Sequence, residues 1–182
     1  MKKFIRVFAV LMLLSLTLCA CKSNKAKNEG YDLYRSSPVG VEIEYPDFWE
    51  VVDDKEERTV AFAAPNEGFA DTYRDNVSIC SVETGEEGLA FDNYVTDYIN
   101  QLPTTINSFN KITEEDVTVT GHEGYRIVYE GKSEEGSLRL NQTFVKSGKY
   151  TYIVSFIAEP ESYDYFLKNA EVMLSTFNPL RK

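Results

Sequence analysis

Residues Tyr150 to Ala158 read Tyr-Thr-Tyr-Ile-Val-Ser-Phe-Ile-Ala, and no other run constrains the fold as tightly. In an extended chain Tyr150, Tyr152, Val154 and Phe156 point to one side and Ile153 and Ile157 to the other, because successive strand residues face opposite ways. A strand that is apolar on both sides needs cover on both sides, so it is expected at the centre of its sheet. One cover follows directly. From Glu161 to Phe177 the large apolar residues are Tyr163, Phe166, Leu167, Ala170, Met173, Leu174 and Phe177, the stripe of an amphipathic helix. Pro160 stands where a first helical turn accepts proline, and Pro179 marks the stop. A second helix is expected over residues 89–102, where Tyr94, Val95, Tyr98, Ile99 and Leu102 share a stripe that Pro103 ends.

Short runs rich in branched and aromatic residues supply the other strands. Gly40 to Tyr45 alternates Val41, Ile43 and Tyr45 with Glu42 and Glu44 before Pro46. Trp49 to Val52, Thr59 to Ala63 and Val77 to Val82 follow. After a loop expected over Thr104 to Lys111, Asp116 to Thr120 and Tyr125 to Glu130 form a hairpin joined by Gly121-His-Glu-Gly124. Leu138 to Val145 and the Tyr150 strand form a second hairpin. The expected fold is α+β: an α/β/α sandwich in which an antiparallel sheet of about six or seven strands is flanked by two main helices.

The N-terminus carries an address. Lys2, Lys3 and Arg6 precede twelve uncharged residues, Val7 to Leu18, and then Leu18-Cys19-Ala20-Cys21. Twelve helical residues reach about 18 Å against a hydrocarbon core of about 30 Å, so the segment suits a signal peptide better than a permanent span. Cys21 fits a bacterial lipobox, in which an apolar residue (Leu18), a tolerant position (Cys19) and a small residue (Ala20) precede the lipidated cysteine, whereas Cys19 fits poorly, since Leu18 would then stand where the peptidase needs a small side chain. Residues 1–20 are expected to be removed. Cys21 would carry a thioether-linked diacylglycerol, with a further acyl chain such as palmitate on its amine, and two or three such chains hold a protein on a membrane. Residues 22–30, with Lys22, Lys25 and Lys27 and no large apolar side chain, read as a tether, and residues 31–182 as one domain.

The formal charge of -10 divides unevenly along this plan. The signal carries +3, the tether +2, and the domain 13 basic against 28 acidic residues, or -15. A domain this acidic excludes nucleic acid as a partner, since polyanion binding needs a basic footprint. The membrane is the expected partner through the lipid anchor, with a membrane-protein complex as a further candidate. Cys80 is the one thiol beyond the lipobox, so no intramolecular disulfide is expected.

Gly40-Val-Glu-Ile-Glu-Tyr-Pro-Asp-Phe-Trp-Glu-Val51 resembles the opening of the PsbP-like superfamily, in which an extended strand runs into Tyr-Pro and then a tryptophan strand. Tyr152 to Pro160 and the helix after it resemble the family's closing strand and helix. The superfamily includes bacterial PsbP-related lipoproteins and, more distantly, DcrB-like proteins. The resemblance covers most of residues 31–178 and implies the α/β/α sandwich. It also implies the role of an extrinsic assembly or stabilising subunit of a membrane complex. Metal sites proposed in some relatives include histidine, and those ligands do not transfer onto this chain, whose one histidine is His122.

Chemistry-bearing patterns are scarce. His122 would have to be the base of any Ser-His-Asp or Cys-His device, yet it sits in an expected turn. No phosphate loop, His-Glu-x-x-His, Cys-x-x-Cys or EF-hand loop occurs. No catalytic residue, cofactor or enzymatic activity is therefore expected. The acidic pairs Asp53-Asp54, Glu56-Glu57, Glu86-Glu87 and Glu134-Glu135 read as solvated loops, while Glu67, Asp71 and Asp75 are weak candidates for one divalent-cation site. The expected function is a membrane-anchored, extracytoplasmic, noncatalytic binding or assembly module. A divalent-cation or small-ligand binding protein is the second reading.

Overall fold

A computed structural model describes residues 26–66, 73–85, 90–134 and 136–181. The signal peptide, Cys21 and most of the tether lie outside them. The described strands are β1 (Tyr31–Ser36), β2 (Val41–Pro46), β3 (Glu50–Asp54), β4 (Thr59–Ala63), β5 (Asn76–Glu83), β6 (Asn107–Val119), β7 (His122–Lys132), β8 (Ser137–Ser147), β9 (Tyr150–Ala158) and β10 (Asn178–Pro179). The helices are α1 (Ala90–Thr105) and α2 (Tyr163–Thr176). Seven strands form one antiparallel sheet in the order β3-β4-β5-β9-β8-β7-β6, and β1-β2-β10 form a smaller one.

The Tyr150 strand, β9, holds the central place its sequence demands. Tyr152, Val154, Phe156 and Ala158 enter one core with Trp49, Phe62 and the buried face of α2. Ile153 and Ile157 enter a second core with Phe91, Val95, Tyr98 and Leu102 of α1. Alternation along this one strand thus separates two hydrophobic layers, one under each helix. The small sheet shares the first layer: Val41 and Ile43 are fully buried, and Tyr34 meets Phe62 edge to face at 5.4 Å.

Several boundaries depart from the sequence reading. Gly40 to Tyr45 belongs to the small sheet, and its neighbour β1 was not expected, since Tyr31 to Ser36 carries too few apolar residues to show a period. Helix α1 continues through Pro103 to Thr105. A proline in the last turn removes one amide bond without halting the final residues, and Ile106 N–H still reaches the Leu102 carbonyl at 2.8 Å. The loop expected over Thr104 to Lys111 is mostly the start of β6, an edge strand that pairs with β7 through two register shifts. Apart from Ile112 its exposed residues are polar, so nothing in the alternation of its first half announces it. Pro160 lies in the turn before α2 rather than in its first turn. The first hairpin is tighter than expected. Val119 pairs with His122, and only Thr120 and Gly121 turn, at φ 48° and 87°. Two consecutive positive φ values mark a type I′ turn, the form that matches strand twist and favours glycine in its second place.

Candidate functional site

The expected site residues lie only partly within the described residues. Cys21, Glu67, Asp71, Glu86, Glu87 and Glu135 fall outside the described residues. Asp75 is buried, and its carboxylate accepts the Glu159 N–H at 3.0 Å, securing the exit of β9 to the start of β5. Asp54 caps its own turn by accepting the N–H groups of Glu56 and Glu57 at 2.9 and 3.0 Å. Asp53 accepts the Tyr34 hydroxyl at 3.3 Å. Among the described residues no three His, Cys, Asp or Glu side chains gather where they could hold a metal ion.

His122 begins β7, and its Nδ1 lies 3.1 Å from the Lys146 carbonyl. A carbonyl accepts only, so this contact assigns the proton to Nδ1 and uses the ring to tie β7 to the end of β8. Cys80 is partly buried against the α1 layer, and desolvation pushes its thiol up to about 12. A thiol so far above neutrality is a poor nucleophile.

Polar chemistry inside the α1 layer is concentrated at Gln142. Its Nε2 donates to the hydroxyls of Tyr98 and Ser155 at 3.1 and 3.0 Å, and its Oε1 accepts from Tyr129 at 2.9 Å. Burial pushes the Tyr98 hydroxyl up to about 12 and Tyr129 well above its ordinary value. These groups stay neutral and lock a helix to three strands.

The sequence reading missed a cleft of about 330 Å³ between α1 and the β6–β7 hairpin. Four carboxylates line it: Asp92 from α1, Glu114 and Asp116 from β6, and Glu123 from β7. Phe91, Val95, Ile99 and Tyr125 supply its apolar surface. Lys111 pairs with Glu114, while Lys146 pairs with Glu123 at 3.0 Å and lies over the Phe91 ring. Asp92 and Asp116 have no ion pair among the described residues, so a net negative charge remains. Desolvation, together with the hydrogen bond to Glu114 and the charges of Glu114 and Asp116, pushes the Tyr125 hydroxyl up to about 12. The hydrogen bonds from Lys111 and Tyr125 hold the Glu114 carboxyl below its ordinary value. Gly124 shapes the hairpin here, because a Cβ at that position would lie 2.5 Å from the Phe144 carbonyl oxygen.

With fold and cleft in place, comparison with known proteins decides the family: the model of the PsbP-like protein family matches residues 20–178. The chain belongs to the PsbP-like family. Among solved structures, cyanobacterial PsbP from Synechocystis sp. PCC 6803 is similar at a TM-score of 0.59 and 17% identity, covering 89% of this chain and 98% of that one. A protein of unknown function from Pseudomonas aeruginosa reaches 0.60 at 18% identity, covering 84% and 99%. LpqN of Mycobacterium tuberculosis, a protein involved in cell envelope biogenesis, reaches 0.57 at 12%, covering 76% and 82%. At these identities the likeness is one of fold. No curated protein matches the chain. The PsbP-like core thus includes both helices and the full central sheet, and among the described residues no helix is long and apolar enough to cross a membrane.

Proposed function

We propose that this PsbP-like protein is an extracytoplasmic lipoprotein, held on the membrane through Cys21, that works as a noncatalytic binding or assembly module. The α1–hairpin cleft is its receiving surface. The observation that carries this reading is the cleft itself: a concave surface with apolar side chains in it and four carboxylates around them, of which, among the described residues, only Glu114 and Glu123 are paired with a lysine. Such a surface suits a segment of a membrane-protein partner that presents basic and apolar side chains together. The family likeness supports the noncatalytic part, as does the dispersal of His122, Cys80 and Asp75, each engaged in holding the fold.

Two experiments test the address and the surface separately. Cys21→Ala should stop lipid labelling and release the protein from membranes, and normal labelling and anchoring of that variant would refute the address. Crosslinking in native membranes should capture a specific partner with the wild-type protein and lose it with Asp92→Lys combined with Asp116→Lys. Capture unchanged by those substitutions would remove the cleft from the function.

A further inference from the structure

Three large apolar side chains are conspicuously exposed among the described residues: Phe48 at 57%, Tyr165 at 73% and Ile112 at 44%. Ile112 lies on β6, at the far edge of the seven-stranded sheet. The other two each adjoin a residue of one buried aromatic contact. Phe48 precedes Trp49 and Tyr165 precedes Phe166, and the Trp49 and Phe166 rings meet edge to face at 5.7 Å, with the Tyr165 ring 4.7 Å from Phe166.

The N-terminal chain is fastened close to this pair. Asp47 N–H donates to the Gly30 carbonyl at 3.0 Å, immediately beside Phe48. Tyr31 accepts at its hydroxyl from Asn169, which lies one helical turn from Tyr165, at 3.1 Å. Before Gly30 the chain is clasped again: buried Glu44 accepts the N–H groups of Lys27 and Asn28 at 2.7 and 3.1 Å and the Asn28 side-chain amide at 2.7 Å. Glu44 lies four residues from Phe48, a span of at most about 14 Å.

The length of chain left over decides what covers this surface. Four residues lie between Cys21 and Ala26, the first described residue, and the five steps from Cys21 to Ala26 reach about 17 Å when fully extended. A body of about 150 residues is roughly 35–40 Å across. If Cys21 is in the bilayer, the leash is less than half the width of the domain it holds, and the domain cannot turn its far side to the membrane.

We infer that Phe48 and Tyr165 form a membrane-docking surface, which rests on the lipid-anchor reading and gives the anchored domain one fixed orientation. Aromatic side chains at the headgroup level are the usual interfacial anchors, because their rings bury apolar area while their polar atoms stay wet. Asp47 and Asp164 precede the two aromatic residues in the chain, and Lys22, Lys25 and Lys27 of the leash sequence together with Lys168, three residues on from Tyr165, supply positive charge to balance them at an anionic lipid surface. In this pose β6 and Ile112 stand away from the bilayer.

The test uses the full-length lipidated protein, reconstituted in vesicles of phosphatidylcholine and phosphatidylglycerol containing lipids brominated along their acyl chains. Tyr165→Trp and Ile112→Trp are compared, each solvent-facing and each retaining the buried native Trp49 as a common background. The Tyr165→Trp protein is expected to show at least twice the bromine quenching of the Ile112→Trp protein, and adding Phe48→Ser should reduce that excess. Equal quenching in protein that is lipidated and vesicle-bound would overturn the docking surface and leave the anchor standing. Protein that neither labels with lipid nor floats with the vesicles would overturn both.

Discussion

Gln142 Nε2 donates to the Tyr98 hydroxyl at 3.1 Å, joining the middle of α1 to β8 inside the core. The same side chain accepts from Tyr129 and donates to Ser155, so one amide serves three hydroxyls from α1, β7 and β9. Gln142→Ala is therefore expected to cost about 3–5 kcal/mol, combining a lost buried contact with the desolvated Tyr129 hydroxyl. Tyr98→Phe, which removes one hydroxyl only, should cost about 1 kcal/mol. Urea unfolding of the two variants checks the contrast, and similar losses for both would show that Gln142 is not the centre of the network.

Glu44 gives the leash a pH dependence. Burial alone would raise its carboxyl, but the N–H groups of Lys27 and Asn28, the Asn28 amide and the Lys27 charge hold it below its ordinary value. A carboxyl lowered on folding stabilises the clasp above its unfolded pKa of about 4.3, and that stabilisation is lost as pH falls through the folded value. Hydrogen-exchange protection of the Asn28 amide should be level near pH 6 and collapse as the carboxylate takes its proton. Glu44→Gln should lower that protection at pH 6 by about tenfold, the effect of replacing a charged acceptor by a neutral one. Protection that is indifferent to both changes would dissociate Glu44 from the leash.

Cys80 should be inert in the folded state. With its thiol pushed up to about 12 by desolvation, the thiolate fraction at pH 8 falls far below that of an ordinary cysteine, whose pKa is about 8.5. In a Cys19→Ser, Cys21→Ser background, iodoacetamide should label Cys80 at least about 100-fold more slowly than free cysteine, and at the ordinary rate after unfolding. Rapid labelling of the native protein would reopen a chemical role for the thiol.

The Thr120-Gly121 turn sets the hairpin that carries Glu123 and Tyr125 to the cleft. Gly121 has φ 87° and open space around its missing Cβ, so Gly121→Val should act through backbone strain alone and cost about 1–2 kcal/mol. Thermal unfolding measures it. A neutral result would mean that the turn relaxes to another form.

The parts legible in the sequence were those with one dominant physical signal. Strand β9 declared its central place because both of its faces are apolar, and α2 declared itself because Tyr163, Phe166, Ala170 and Met173 repeat at the helical period and bury together. Edge strand β6 gave such a signal only at its end, Asp116 to Val119: before it Ile112 and its polar neighbours face solvent, and their pairing is set by β7 rather than by their own alternation. The cleft was hidden for a related reason. Asp92, Glu114, Asp116 and Glu123 come from three elements, and only tertiary pairing brings them together. The acidic doublets that stand out along the chain, such as Asp53-Asp54, serve turns and local contacts instead.

The seam between β5 and β9 joins residues 76–83 to residues 150–157, while β3 to β5 on one side of it and β6 to β9 on the other are meanders of near neighbours in the chain. Each half can begin to form as it emerges, but the sheet closes only when β9 arrives, and both cores wait on that closure. Long-range pairing of this kind is the slow step of β-rich folding. A chain threaded across a membrane from its N-terminus would therefore emerge with two unfinished half-sheets, each exposing an open edge to quality-control proteases and chaperones until all but the residues after Ala158 have crossed.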